Sequence, residues 1–160
     1  MNERAQRLIE QLGLQPHPEG GYFRQTYRSQ ITMETSRGTR HCLTSIYYLL
    51  ADEMFSAFHR LISDEIWHHY CGSPVAIEVI DPDGRYTRVI IGDKGCHQAV
   101  MPAGSWFAAH LWDSNAYALV GCDVAPGFEY EDFDIGSRDQ LAATFPQHRT
   151  LIERWTRGEE

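Results

Sequence analysis

No apolar run in these 160 residues approaches the ~20 that a membrane-spanning helix requires, so a membrane protein is not expected. Positive charge is scarce: 14 Lys and Arg stand against 22 Asp and Glu, leaving a formal charge of −8. An acidic chain repels phosphate backbones and anionic lipid surfaces, which removes nucleic acid and membranes as expected partners. No two of Cys42, Cys71, Cys96 and Cys122 stand in C-x-x-C spacing, so neither a zinc ribbon nor a thioredoxin-like redox motif is present. Scattered singly through apolar stretches, they fit buried free thiols of a reducing compartment. The opening MNERAQR lacks the apolar stretch of a signal peptide, and a cytoplasmic location is expected. The phosphate loop GxxxxGK[ST], a GxGxxG following a strand and the GxSxG elbow are all missing, which disfavours nucleotide chemistry and elbow-type serine hydrolysis.

What is present is a globular composition, 42% hydrophobic and 22% charged, long enough to bury a core without staples. One domain over 1–160 is expected. Ala5, Leu8, Ile9 and Leu12 recur at helical spacing, and Gly13 ends that helix. LQPHPEGG follows, too rich in proline and glycine for a helix, and reads as a shaped loop. Eight or nine short segments rich in aromatic and β-branched residues come next, from YFRQTYRS to NAYALVGCDV. Asp83-Gly84 between VAIEVI and RYTRVII signals a hairpin. This spacing predicts an all-β sandwich or barrel rather than a βαβ fold. TSIYYLL, apolar at nearly every position, suits a strand covered on both faces, with a partner subunit as one cover. Ser137 and Gln140 form a capping box for a helix that Pro146 stops, and a last short helix is expected over 148–156.

FHRLISDEIWHHYCG (58–72) concentrates the chemistry. Alternation puts Phe55, Ala57, His59 and Leu61 on one face of a strand, and Glu65, Trp67, His69 and Cys71 on one face of the next. Ile62, Ser63 and Asp64 make the turn between them. If those faces coincide, His59 lies diagonal to Glu65. His68 and His69 point to opposite faces, so they do not form a joint metal patch.

These residues resemble the cupins. The family's first motif has two histidines one residue apart, then a glutamate, then a glycine; here His59, Glu65 and Gly72 match, but Leu61 occupies the second histidine position. In the second motif Pro102 and Gly104 match, while Phe107 replaces the histidine. HPEGGYFRQTYRS, TSIYYLL, FHRLISDEIWHHYCG, MPAGSW and APGFEYEDF together look like one single-domain cupin subfamily of largely unassigned activity. The resemblance spans about residues 5 to 155. It implies a double-stranded β-helix, the cupin jelly roll similar to sugar-epimerase cupins, with short N- and C-terminal helices, usually as a homodimer.

Leu61 and Phe107 cannot donate to a metal, and His69 is about 13 Å along the strand from Glu65. His97 and His110 are possible substitutes of unknown register. No cofactor is therefore required; a divalent metal, if bound, would rest on His59 and Glu65 alone. The expected catalytic pair is His59 and Glu65, an acid–base couple. Arg24, Tyr47, Trp67, His69 and Trp106 are the expected substrate contacts, Arg24 because a guanidinium grips carboxylate or phosphate. Gly20-Gly21 would let the backbone approach the ligand, with Glu19 and Arg24 clamping it. The plain alternative is a polar interior in which His59 and Glu65 merely bond each other. In GFEYEDFDIG the rings Phe128, Tyr130 and Phe133 are expected under the sandwich, with an oxygen-rich cation site as the sharper option. The functional expectation is a small-molecule-binding protein, an isomerase, epimerase or dehydratase for a small polar, carbohydrate-like metabolite. A non-catalytic sensor module and a metal-dependent oxygenase are the alternatives.

Overall fold

The structure is a computed structural model, and it describes residues 1–158. Helix α1 spans Glu3–Leu12. Asn2 caps it, its side chain accepting from the backbone N–H groups of Arg4 and Ala5, and Gly13 closes it in the left-handed region at φ 64°. Strands follow in chain order: β1 Gln15–Pro16, β2 Tyr22–Arg28, β3 Thr32–Thr35, β4 Gly38–His41, β5 Thr44–Ala51, β6 Phe55–Leu61, β7 Asp64–Gly72, β8 Val75–Ile80, β9 Tyr86–Ile91, β10 Gln98–Met101, β11 Trp106–Leu111, β12 Tyr117–Ala125 and β13 Phe133–Ile135. Helices α2 Arg138–Thr144 and α3 Arg149–Trp155 end the chain.

Two antiparallel sheets face each other. One has the order β1-β2-β5-β12-β7-β10 and the other β13-β6-β11-β8-β9, while β3 and β4 form a separate hairpin. The non-consecutive neighbours are those of a jelly roll. The expected β8–β9 hairpin is present, turning through 81–85. Ser137 stands at the N-cap of α2 as expected, but its side chain makes no capping bond.

β5 is covered on both faces, and the outer cover is the chain's own α1. Ala5, Leu8 and Leu14 pack on Leu49, Ala51 and Leu119, with Tyr47 beside them. Inside the sandwich Tyr48, Trp67, Ile77, Met101 and Phe107 form the densest part of the core. A third cluster lies on the far face of the five-stranded sheet, where α2 and α3 press Leu141, Phe145 and Ile152 onto Phe58, Ile80 and Ala108. Each such buried apolar side chain contributes roughly 1.5–3 kcal/mol of transfer free energy. The inner core fills one end of the roll and stops short of the other, where a cavity opens. Only Cys122 of the four cysteines is buried; Cys96 is exposed, against expectation, because it sits in the loop after β9.

Candidate active site

The cavity, of about 90 Å³, lies between the two sheets. His59 and Leu61 of β6 and Glu65 of β7 line it, with Cys122 and Val124 of β12. Both strands were expected to alternate without interruption, and bulges overturn that. Across β11, Phe107 pairs with His59 but Ala109 pairs with Ser56, so an extra residue shifts the facing. Ser56 joins His59 on the cavity side, and Phe55 instead turns outward onto Trp155, ring centroids 5.4 Å apart. Across β12, Leu119 pairs with Cys71 and Val120 with His69, leaving Tyr70 as the extra residue. Cys71 therefore packs toward the α1 cluster rather than beside Trp67.

β6 and β7 also belong to different sheets, so His59 and Glu65 are not diagonal neighbours on a ladder. They line one cavity from facing sheets. The carboxylate that reaches His59 is Glu19, with Oε2 3.2 Å from His59 Nε2. Glu19 arrives on the loop between β1 and β2. There His17 N–H donates to Gly21 O and Gly20 N–H donates to His17 O, closing a tight hairpin. The two glycines let that loop press against the chain itself, not against a ligand. A Cβ on Gly20 would meet Phe55 O at 2.2 Å, and one on Gly21 would meet Leu49 O at 2.7 Å. Both have positive φ, 112° and 75°, which favours glycine. Tyr48 O–H donates to Gly20 O, and Ala57 N–H donates to Glu19 O, which pins Glu19 in the interior.

The hydrogen bonds determine where protons sit. His59 Nδ1 lies 2.8 Å from Ala57 O, and a carbonyl only accepts, so Nδ1 carries hydrogen. A neutral His59 then presents a bare Nε2 to Glu19 Oε2. One proton must lie between them, on one atom or the other. Burial disfavours the charged form of both: it lowers His59 to about 4 and raises the Glu19 carboxyl. The stable arrangement is neutral imidazole with protonated Glu19. Ser56 O–H donates to Glu19 Oε1 at 2.8 Å, and Glu19 N–H donates to His17 Nδ1 at 3.2 Å.

Glu65 contrasts with Glu19 in the same cavity. It is buried, and its Oε2 has no hydrogen-bond partner; the indole N–H of Trp67, two residues along, has none either. Burial pushes the Glu65 carboxyl up to about 8, and the neighbouring Glu19 adds to that. The Trp67 indole and the Cys122 thiol beside it favour the charged form, but burial outweighs them, so Glu65 is held as a protonated acid on the cavity wall.

Of the other expected contacts, Trp67 is fully buried beside the cavity. Arg24 lies on the other side of β2 from the cavity-lining Phe23 and Gln25, its guanidinium against Gly13. Tyr47 packs in the α1 cluster, edge-on to Tyr70. Trp106 packs against the α2 and α3 cluster under the guanidinium of Arg60, 4.6 Å away. His69 bonds to Ser73 O, beyond Trp67 from the cavity. His110 is engaged with Glu78 and His97 is exposed, so neither reaches the cavity. Residues not among the expected set wall the cavity: His17, Thr44 and Ile46, with Phe128, Tyr130 and Phe133 at its edge. Those three rings close the mouth rather than pack beneath the sandwich, and the acids between them bind arginines. Asp132 takes two bonds from Arg40, at 2.8 and 3.0 Å, and Glu129 pairs with Arg28. That occupies the oxygens of the suggested cation site.

A cupin fold implies a metal, and the donors here do not fit one. Leu61 lines the cavity, and Phe107 packs its ring 4.2 Å from that of His59. Both nitrogens of His59 already have partners. Among the described residues no three His, Cys, Asp or Glu side chains are grouped to hold an ion. Among those residues, too, no helix is long and apolar enough to cross a membrane.

Residues 6–136 match the family model described as Cupin superfamily (DUF985). The uncharacterized protein YML079W of Saccharomyces cerevisiae is 33% identical over 146 residues, covering 79% of this chain and 72% of its own. A hypothetical protein from Leishmania major superposes with a TM-score of 0.89 at 36% identity, covering 97% of this chain and 99% of that one. Protein SO0799 from Shewanella oneidensis gives 0.90 at 35%, covering 97% and 98%. Oxalate decarboxylase from Bacillus subtilis shares the fold at a TM-score of 0.58 but only 16% identity, and this chain covers 37% of it. With the jelly roll and its altered ligand positions in view, the chain belongs to the Cupin superfamily, in the family designated DUF985.

Proposed function

We propose that this protein is an acid–base catalyst that moves protons on a small polar, carbohydrate-like metabolite, as an isomerase, epimerase or dehydratase does, and that it does so without a metal. The observation that carries this reading is Glu65, buried and held protonated, lining the same cavity as the Glu19–His59 pair with its one shared proton. Glu65 donates its proton to a substrate oxygen. The Glu19–His59 pair receives one from the adjacent carbon and becomes cationic as Glu65 becomes anionic. The cavity's total charge stays constant through the step, which suits a low-dielectric site.

This reading changes the expected catalytic pair. His59 and Glu65 both remain, but Glu19 rather than Glu65 is the partner of His59, with Ser56 and His17 holding Glu19 in place. The oxalate decarboxylase likeness is a likeness of fold and contributes nothing to the reaction. The test is proton exchange: small aldoses and ketoses are incubated with the protein in deuterium oxide and followed by proton NMR. Deuterium should enter at the carbon beside the carbonyl, and Glu65→Gln and Glu19→Gln should each abolish the entry. Tight binding of a ligand that never exchanges would mean a sensor module instead.

A further inference from the structure

We infer that the cavity admits an uncharged oxygen compound of a few carbons, a polyol or hydroxycarbonyl, and turns away carboxylates, phosphates and ammonium ions. The inference rests on reading this cavity as the ligand site, and it adds the charge class of the ligand.

The walls lack a fixed positive charge. Neither arginine nor lysine is among the lining residues. The arginines near the mouth are already committed: Arg40 and Arg37 to Asp132, Arg28 to Glu129. Arg24, the expected ligand contact of β2, lies outside, against Gly13. An anion entering here would leave water without a permanent cation to receive it.

A cation fares little better. Both oxygens of Glu19 are engaged, Oε1 by Ser56 and Oε2 by His59. Glu65 remains, and burial holds that group in its neutral form. An ammonium ion would have to expel that proton first, and would gain one oxygen contact in return for its whole hydration shell.

A neutral hydroxyl or carbonyl oxygen fits what is left. The protonated Glu65 can donate to it. Thr44 Oγ1 accepts from Phe128 N–H at 2.9 Å, so its own hydroxyl hydrogen is free to donate. Gln25 and Tyr130 add exposed polar groups at the mouth. Ile46, Leu61, Val124 and Phe133 offer apolar surface to the C–H faces. The volume, about 90 Å³, sets the scale at a few heavy atoms and leaves no room for a nucleotide.

Three probes of matched carbon count decide the matter: 1,3-dihydroxyacetone, glycerate and 2-amino-1,3-propanediol, each titrated into the wild-type protein at about pH 6.5, where the acid is ionised and the amine protonated. Calorimetry gives the affinity, and the His59 ring resonances report whether the probe occupies the cavity. Dihydroxyacetone should shift those resonances and bind at least ~10-fold more tightly than either charged probe. Equal or tighter binding of glycerate or the amine overturns the inference. So does a failure of dihydroxyacetone to move the His59 signals at millimolar concentration. The outcomes separate from those of the acid–base reading. Binding of dihydroxyacetone without proton exchange removes the chemistry and leaves the charge class standing; exchange on a carboxylate substrate does the reverse.

Discussion

Glu65 and Glu78 are both buried in facing sheets, and they live in opposite electrostatic worlds. Glu78, on the outer side of β8 under the C-terminal helices, is wholly inaccessible. Arg88 donates to it at 3.0 Å, Tyr86 O–H at 2.6 Å, and His110 Nε2 lies 2.8 Å away, with the His110 ring stacked on Trp155. Burial alone would raise its pKa, but the bonds from His110, Arg88 and Tyr86 outweigh that and lower it to about 2. Glu65 is buried with nothing comparable and rises to about 8. The difference teaches that burial of an acid does not by itself mark a reactive group. A buried carboxylate with every oxygen paired ties sheet to helices. A buried carboxyl without charged partners, on a cavity wall, is kept protonated.

The largest way to break the comparison is Glu78→Ala. It takes the shared acceptor from His110, Tyr86 and the half-exposed Arg88, and losing three hydrogen bonds to one buried carboxylate, discounted for the access of Arg88 to water, should cost about 3–5 kcal/mol. For a chain of this size that lowers Tm by roughly 6–20 °C. A thermal melt within a degree of wild type would show that the cluster holds nothing together.

Glu65→Gln should do the opposite, increasingly as pH rises above 4.5. Glu65 is raised from 4.5 to about 8, so the folded protein binds a proton that the unfolded chain releases between those values. Stability from this group is complete below pH 4.5 and is lost as pH climbs through about 8. The amide has no such penalty, so the variant should gain on the order of 3 kcal/mol over wild type at about pH 8.5 and little at about pH 5. Equal urea midpoints for the two proteins at both values would contradict a buried, protonated Glu65.

The wild-type stability profile sharpens the same point. His59 is lowered from 6.5 to about 4, so its contribution is complete above 6.5 and is lost as pH falls through about 4. Between about 6.5 and 4.5 the gain from Glu65 and the loss from His59 oppose each other. Stability should therefore rise from pH 8 to about 6.5, stay nearly level to about 4.5, then fall as His59 charges and Glu78 protonates toward 2. A maximum above pH 8 in calorimetric scans would reverse the assignment. The smallest effect belongs to Ser56→Ala, which removes one hydrogen bond to Glu19 and should cost about 1 kcal/mol by chemical denaturation. Its readout in the cavity is a changed His59 titration, which a packing loss alone would not produce.

Much of the fold was legible. The spacing of Ala5, Leu8 and Leu12 with Gly13 behind them marks α1, and the Asp83-Gly84 turn marks the β8–β9 pair. The strand over 55–61 was readable from its composition, but its facing was not. A bulge leaves no mark in FSAFHRL, yet it turns Ser56 toward the cavity and Phe55 away from it. His59 and Glu65 were legible as residues sharing one cavity because their neighbours alternate apolar and polar and the spacing matches a known motif. Glu19 was visible only as a turn residue beside two glycines. Nothing in HPEGGYF says that the loop folds inward, since that depends on the carbonyls of Phe55 and Leu49 waiting where a Cβ would collide. Arg24 seemed well placed for a ligand because one strand's alternation is readable while the choice of which face is inside is not.

The sequence by itself determined the class of structure. Short β-rich segments broken by turn residues cannot bury their apolar faces except in stacked antiparallel sheets, and a terminal amphipathic helix must find a sheet to cover. The tertiary structure alone decided which acid serves which base. Hydrogen bonds and desolvation act over a few ångströms, and that proximity is created by bulges, sheet assignment and a loop tucked inward, none of which local side-chain pattern encodes.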